Sequence, residues 1–148
     1  MDSLYLIGSL RNKKIPEIAK TLRVQSFDVF DAWHAAGPEA DDHWKEYSEK
    51  RGQTYAEALN DYAARHVFEF DKSHLDRCDA AVLVYPAGRS CGIEFGYMIG
   101  SGKPGWVLLD SPDRWDVMVQ FATGWCFDVD ELTHLLRVYR NQQGQADD

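Results

Sequence analysis

The stretch Ala80-Ala81-Val82-Leu83-Val84-Tyr85-Pro86-Ala87-Gly88-Arg89-Ser90-Cys91-Gly92-Ile93-Glu94-Phe95-Gly96-Tyr97-Met98-Ile99-Gly100 changes character partway along. Its first six residues are a short unbroken apolar run, as expected of a strand buried on both faces. Pro86-Ala87-Gly88 is a turn, and the residues after it read as a helix with Glu94 in its early turns. A strand that passes through a tight turn into a helix is the beginning of a βαβ unit. Between Arg89 and Lys103 the only carboxylate is Glu94, set among Ile93, Phe95 and Met98. In open α/β sheets ligands bind at the carboxyl ends of the strands, where this helix begins. The helix N-terminus favours the ionised carboxylate, and the apolar neighbours oppose it by desolvation. A poorly solvated but ionised carboxylate is a good nucleophile.

Outward from this unit, strands and helices keep alternating. Ser3–Ile7 reads as the first strand, Pro16–Arg23 as a short helix with proline at its start, and Phe27–Phe30 as the second strand. Ala35–Asp42 is a polar loop and His43–Lys50 is helical. Thr54–Phe68 repeats apolar residues at Tyr55, Ala58, Leu59, Tyr62 and Ala63, close to a helical period. Trp106–Leu109 is a fourth strand, Cys126–Phe127 a short fifth, and Asp130–Tyr139 a final helix with acids first and arginines last. The pattern predicts an α/β fold, a flavodoxin-like three-layer sandwich on a mostly parallel five-stranded sheet. Residues 1–141 form one domain in this reading, and 142–148 a flexible tail.

Composition narrows the function. A chain of 148 residues, 45% hydrophobic, suits one domain with a substantial core. A net charge of −8 opposes an extended contact with phosphate backbones, so no nucleic-acid partner is expected and a small molecule is. The N-terminus lacks a basic region followed by an apolar core, and no run of about 18 apolar residues occurs, so neither export nor membrane association is expected. Cys78, Cys91 and Cys126 are odd in number and have no metal-like spacing, which fits a reducing cytoplasm.

Several residues fall at the carboxyl ends of the expected strands. Gly8, Ser9 and Arg11 follow the first, where a hydroxyl and a guanidinium could hold an anionic or sugar oxygen, or form a plain turn. Asp31 and Trp33 follow the second; Trp33 either stacks on a planar ring or joins a core cluster. Asp71 opens the segment ahead of the third strand, where an aspartate alone is a cap or a solvated charge. Gly92, Gly96 and Gly100 read as positions that let their helix approach its neighbours closely. Gly88-Arg89-Ser90-Cys91-Gly92 matches the G-x-S-x-G elbow of esterases, with Asp110 or Asp116 and then His134 in the right chain order, but too few strands precede it. No GxGxxG or Walker pattern occurs and the histidines lack zinc-ligand spacing, so no cofactor and no metal are expected.

Taken together, Tyr5-Leu6-Ile7-Gly8-Ser9-Leu10-Arg11, Asp71 eight residues before Asp79, Gly88-Arg89-Ser90, and the block from Gly92 through Glu94, Gly96, Tyr97 and Gly100 to Lys103-Pro104 resemble the nucleoside 2-deoxyribosyltransferase family. That family includes the related 2′-deoxynucleoside 5′-monophosphate N-hydrolases. The resemblance runs from about Tyr5 to Leu136, and the glycine-spaced block around Glu94 is its most specific part. It implies transfer of 2-deoxyribose between nucleobases, with Glu94 as nucleophile, Asp71 assisting the leaving base and Tyr5 hydrogen-bonding the nucleophile's carboxylate. Gly8, Ser9, Arg11, Asp31, Trp33, Gly88, Arg89 and Ser90 would bind substrate. It implies sites built at subunit contacts, hence a homodimer or larger even-numbered oligomer, to which Tyr62, Trp115, Phe121 and Trp125 would add apolar surface.

The sequence departs from the family at three places. Many of these transferases carry a second aspartate six residues before the nucleophile, where this chain has Gly88; a partner-contributed asparagine is replaced near Trp125; and the C-terminal aromatic residue has no counterpart in Gln145-Ala146-Asp147-Asp148. Ser9, Arg11, Arg89 and Ser90 are similar instead to the hydroxyl and guanidinium groups of the monophosphate hydrolases. Hydrolysis of a deoxynucleoside or its monophosphate is therefore the alternative to transfer, and a non-catalytic nucleotide sensor is a third reading, opposed by the intact set of Tyr5, Asp71 and Glu94.

Overall fold

Five strands and six helices alternate along the chain in a computed structural model that describes residues 1–111 and 115–146. They are β1 (Ser3–Ile7), α1 (Ile15–Val24), β2 (Asp28–Phe30), α2 (Ala40–Lys50), α3 (Tyr55–Leu59), α4 (Tyr62–Arg77), β3 (Ala80–Val84), α5 (Arg89–Gly100), β4 (Gly105–Leu108), β5 (Gly124–Cys126) and α6 (Val129–Ala146). Short 3₁₀ turns at Ala32–Ala36 and Val117–Phe121 follow β2 and β4. The strands pair in the order β2-β1-β3-β4-β5, and every pairing is parallel.

The apolar run of β3 is continuous because helices cover both faces of the sheet. Side chains alternate across it. Leu4, Leu6, Val82, Trp106 and Leu108 face α1 and α6, meeting Ile15, Ile18, Leu22, Leu132 and Leu136. Tyr5, Ile7, Ala81, Leu83 and Val107 face the other way, against Leu75 of α4 and Cys91, Phe95 and Met98 of α5. The Asp79 carboxylate accepts from the backbone N–H groups of Asp2 (2.8 Å) and Ser3 (3.1 Å), tying the start of β1 to β3. That tie sets the register Leu4↔Ala80 and Tyr5↔Ala81, so Tyr5 stands beneath α4 and α5.

Three expectations change. Thr54–Phe68 is not one helix, because Thr54 and Glu57 close a capping box on the short α3, and Asp61 then caps α4 with its own carboxylate. α4 runs on to Arg77, so Asp71 lies inside a helix rather than in a connecting segment. The expected tail is helical as far as Ala146, and Asp147 and Asp148 lie outside the described residues.

The glycines of α5 also differ from their reading. A Cβ on Gly92, Gly96 or Gly100 would meet nothing within 4 Å, so these residues do not seat the helix against its neighbours. Gly105 at the start of β4 does so instead: a Cβ there would lie 2.7 Å from a Phe95 ring carbon and 2.9 Å from Ile99 Cδ1. Absence of a side chain at this one position lets α5 lie deep against the sheet.

Candidate active site

β1 and β3 lie side by side, and the chain leaves them in opposite directions, toward β2 and toward β4. Such a switch point leaves a crevice at the strands' carboxyl ends, here roofed by α4 and α5. Phe68, Asp71, Lys72 and Leu75 on α4 face Ser90, Ile93, Glu94 and Tyr97 on α5 across a cleft of about 290 Å³. Both sets have the spacing i, i+3, i+4, i+7, the stripe that one face of a helix presents. One acid comes from each wall.

Beneath them is Tyr5, 1% exposed, its ring 5.0 Å from that of Phe30, which in turn stacks on His74 at 3.9 Å. Burial raises the Glu94 pKa from 4.5 to about 7, the Asp71 charge adds to the rise, and a hydrogen bond from the Tyr5 hydroxyl opposes it. Desolvation therefore outweighs the helix N-terminus that was expected to hold Glu94 ionised. Burial raises the Asp71 carboxyl as well. It also raises the Tyr5 hydroxyl, helped by the charges of Glu94 and Asp71, which keeps Tyr5 a neutral donor. Two carboxyls that repel each other hold one proton between them over part of the pH range.

The other expected residues are spread more widely. Ser90 is in the cleft, at its rim. Gly88 and Arg89 are exposed at the start of α5 and outside the cleft lining. Ser9 Oγ accepts from the Arg11 backbone N–H at 3.1 Å, and the exposed Arg11 guanidinium lies 3.6 Å from Asp42. Asp31 is bound by Arg23 at 2.6 Å. Trp33 donates its indole N–H to the Leu6 carbonyl at 2.8 Å and, partly buried, packs against both core clusters beside Gly8. Phe68, Lys72, Leu75 and Tyr97 line the cleft without having been singled out. Once Asp71 is placed in a helix, the spacing from Phe68 to Leu75 would have found three of them, and Tyr97 stands one turn after Glu94.

Competing chemistry fits less well. His134 is exposed on α6, which covers the opposite face of the sheet from Ser90, so no esterase triad assembles. Burial raises the Cys91 thiol, which disfavours a reactive thiolate. Among the described residues no cluster of His, Cys, Asp and Glu could hold a metal ion, and no helix is long and apolar enough to cross a membrane. A second groove of about 400 Å³ lies on the far side of α5, but the one carboxylate among its described lining residues, Asp116, accepts from Met118 N at 2.8 Å and caps a turn.

No family model matches the chain, and no curated protein matches it in sequence. Among solved structures, it is similar to the 2-deoxyribosyltransferase of the psychrotolerant bacterium Bacillus psychrosaccharolyticus, with 15% identity over 88% of this chain and 90% of that one, and a TM-score of 0.53. At that identity the likeness is one of fold, a parallel α/β sandwich spanning nearly the whole of both chains.

Proposed function

We propose that this protein transfers 2-deoxyribose between nucleobases through a covalent deoxyribosyl–Glu94 intermediate. The observation that carries the reading is Glu94 of α5 facing Asp71 of α4 across one cleft, with the buried Tyr5 of β1 close to both. The fold likeness supports it, since the similar structure is a 2-deoxyribosyltransferase, a biocatalyst for nucleoside synthesis.

Cleaving the bond between a base nitrogen and C1′ passes through an oxocarbenium-like state. The Glu94 carboxylate stabilises that cation and closes on C1′ as an ester, while the C1′–N electron pair leaves with the base. Asp71 delivers its proton to the departing nitrogen. In the second half a new base attacks C1′, Asp71 takes the proton back, and Glu94 is released. The resting pair keeps its proton on Glu94, whose pKa the Asp71 charge helps to raise; the reactive form needs Glu94 ionised and the proton on Asp71. Tyr5, donating to Glu94, favours that distribution by stabilising the ionised nucleophile.

A neutral nucleoside suits the cleft better than its 5′-monophosphate. Arg11 lies against Asp42, Arg89 is outside the lining, and the cleft-lining Lys72 is paired with Asp76 at 2.7 Å. Assembly as a homodimer or larger even-numbered oligomer belongs to the same reading, because the cleft is open and exposed Phe68 and Ile93 stand on its walls. The deciding experiment is chromatography of deoxyadenosine or deoxyinosine incubated with the protein, with and without a second free base. New nucleoside supports transfer; free sugar in both reactions makes it an N-glycosidic hydrolase; no cleavage sinks both. A 2-fluorinated deoxynucleoside should leave its sugar on Glu94, and an adduct on Ser90 or Cys91 would overturn the nucleophile.

A further inference from the structure

α4 and α5 each carry one acid of the proposed pair, so the distance between the two acids depends on how the two helices are held. Their polar connections are concentrated at one end. Tyr97 donates its hydroxyl to Asp76 Oδ1 across the cleft, Asp76 also binds Lys72 Nζ at 2.7 Å, and Lys72 lies 5.6 Å above the Tyr97 ring. Just beyond, Lys103 Nζ, in the loop that leaves α5, donates to the carbonyls of Leu75 (2.8 Å) and Asp76 (2.7 Å). Toward the other end, among the described residues, no hydrogen bond or ion pair joins the helices; Phe68 and Ile93 are 63% and 75% exposed there. The two helices are therefore tied by polar contacts at one end only, and Asp71 and Glu94 lie on the untied side.

We propose that Tyr97 is a positioning residue: through its hydroxyl bond to Asp76 it fixes the separation of α4 from α5 and so of Asp71 from Glu94. Tyr97 acts from one turn beyond Glu94, on the same helix face. The inference rests on the proposed reaction for its catalytic consequence, but not for its electrostatic one. Two like charges interact more weakly as they separate, so a looser tie between the helices brings the Glu94 titration down. The groups acting on the Glu94 carboxyl are Asp71 on α4 and Tyr5 on β1; Cys91 shares its helix and feels its charge, and Lys72 lines the cleft. Tyr97 is not among those acting on Glu94, so a shift on removing its hydroxyl must come through the helices.

The test is Tyr97→Phe, a neutral replacement at a residue 38% exposed, with carbon-13 carboxyl NMR of Glu94 and kinetics of base exchange. An opening of about 1 Å should lower the Glu94 midpoint by roughly 0.3–0.5 of a pH unit. Lys72→Met, which removes a cation but keeps the Tyr97–Asp76 bond, should raise the midpoint or leave it. In exchange, Tyr97→Phe should lose kcat about 10-fold with KM changed less than about threefold, as for misplaced catalytic groups. An unmoved or raised midpoint in Tyr97→Phe overturns the inference whatever the kinetics. A lowered midpoint in Tyr97→Phe, together with a wild-type protein that shows no exchange activity, upholds the tie and overturns the proposed reaction instead.

Discussion

Replacing Glu94 by glutamine should make this protein more stable, and increasingly so as the pH rises. Glutamine keeps the shape of the protonated acid but cannot ionise. Burial raises the Glu94 pKa from 4.5 to about 7, so the folded chain holds the proton more tightly than the unfolded one. The stability this supplies is fully present below about pH 4.5 and is lost as the pH climbs through about 7. At roughly 1.4 kcal/mol per unit, ionised Glu94 costs the fold about 3 kcal/mol at pH 8. Wild type and Glu94→Gln should therefore unfold alike in urea at pH 4. By pH 8 the variant should lead by about 3 kcal/mol, a melting-temperature gain of roughly 6–12 °C for a domain of this size. A gap that fails to widen between pH 5 and pH 8, or a variant that melts below wild type at pH 8, would refute the claim that Glu94 is a desolvated acid.

Asp71→Asn should slow release of adenine far more than release of an activated base that needs no proton, and equal losses on both would assign Asp71 a structural role. Tyr5→Phe should cost on the order of 10- to 100-fold in kcat/KM. It should also move the acid limb of the pH profile upward, because the lost hydrogen bond is the one that lowers the Glu94 pKa; an unchanged profile would show Tyr5 to be packing alone. Sedimentation at micromolar concentration should give a dimer or larger even-numbered assembly, and a monomer would count against a site completed between subunits.

The fold was readable wherever a residue's surroundings come from its own neighbours in sequence. Ala80–Val84 and Leu4–Ile7 are apolar because both sheet faces are covered, and each falls on its expected strand. Glu94 stood out because an acid in an apolar helix has no bland local explanation. Asp71 did not, since an aspartate near lysine and serine looks like any surface charge, and only the α4–α5 packing makes it half-buried. Trp33 and Asp31 have structural partners that local sequence does not show. The Leu6 carbonyl bonded by Trp33 is 27 residues away, and Arg23, paired with Asp31, reaches it across the turn from α1 to β2. The break at Asn60-Asp61 lay in view, yet apolar periodicity masked it, since Tyr62 and Ala63 continue the repeat across two separately capped helices.

The contact at Gly105 gives the cleft a control on its far side. Phe95 follows Glu94 in the chain, so whatever lifts the Phe95 ring also lifts the backbone that aims the carboxylate. A methyl group at position 105 is too small to alter the sheet and too large for the 2.7 Å gap to Phe95. It would press on the Phe95 ring and the Ile99 side chain beneath the helix that carries Glu94, without touching Glu94 or Tyr5. The proposed reaction would thus be sensitive to a strand residue that no inspection of the cleft would select.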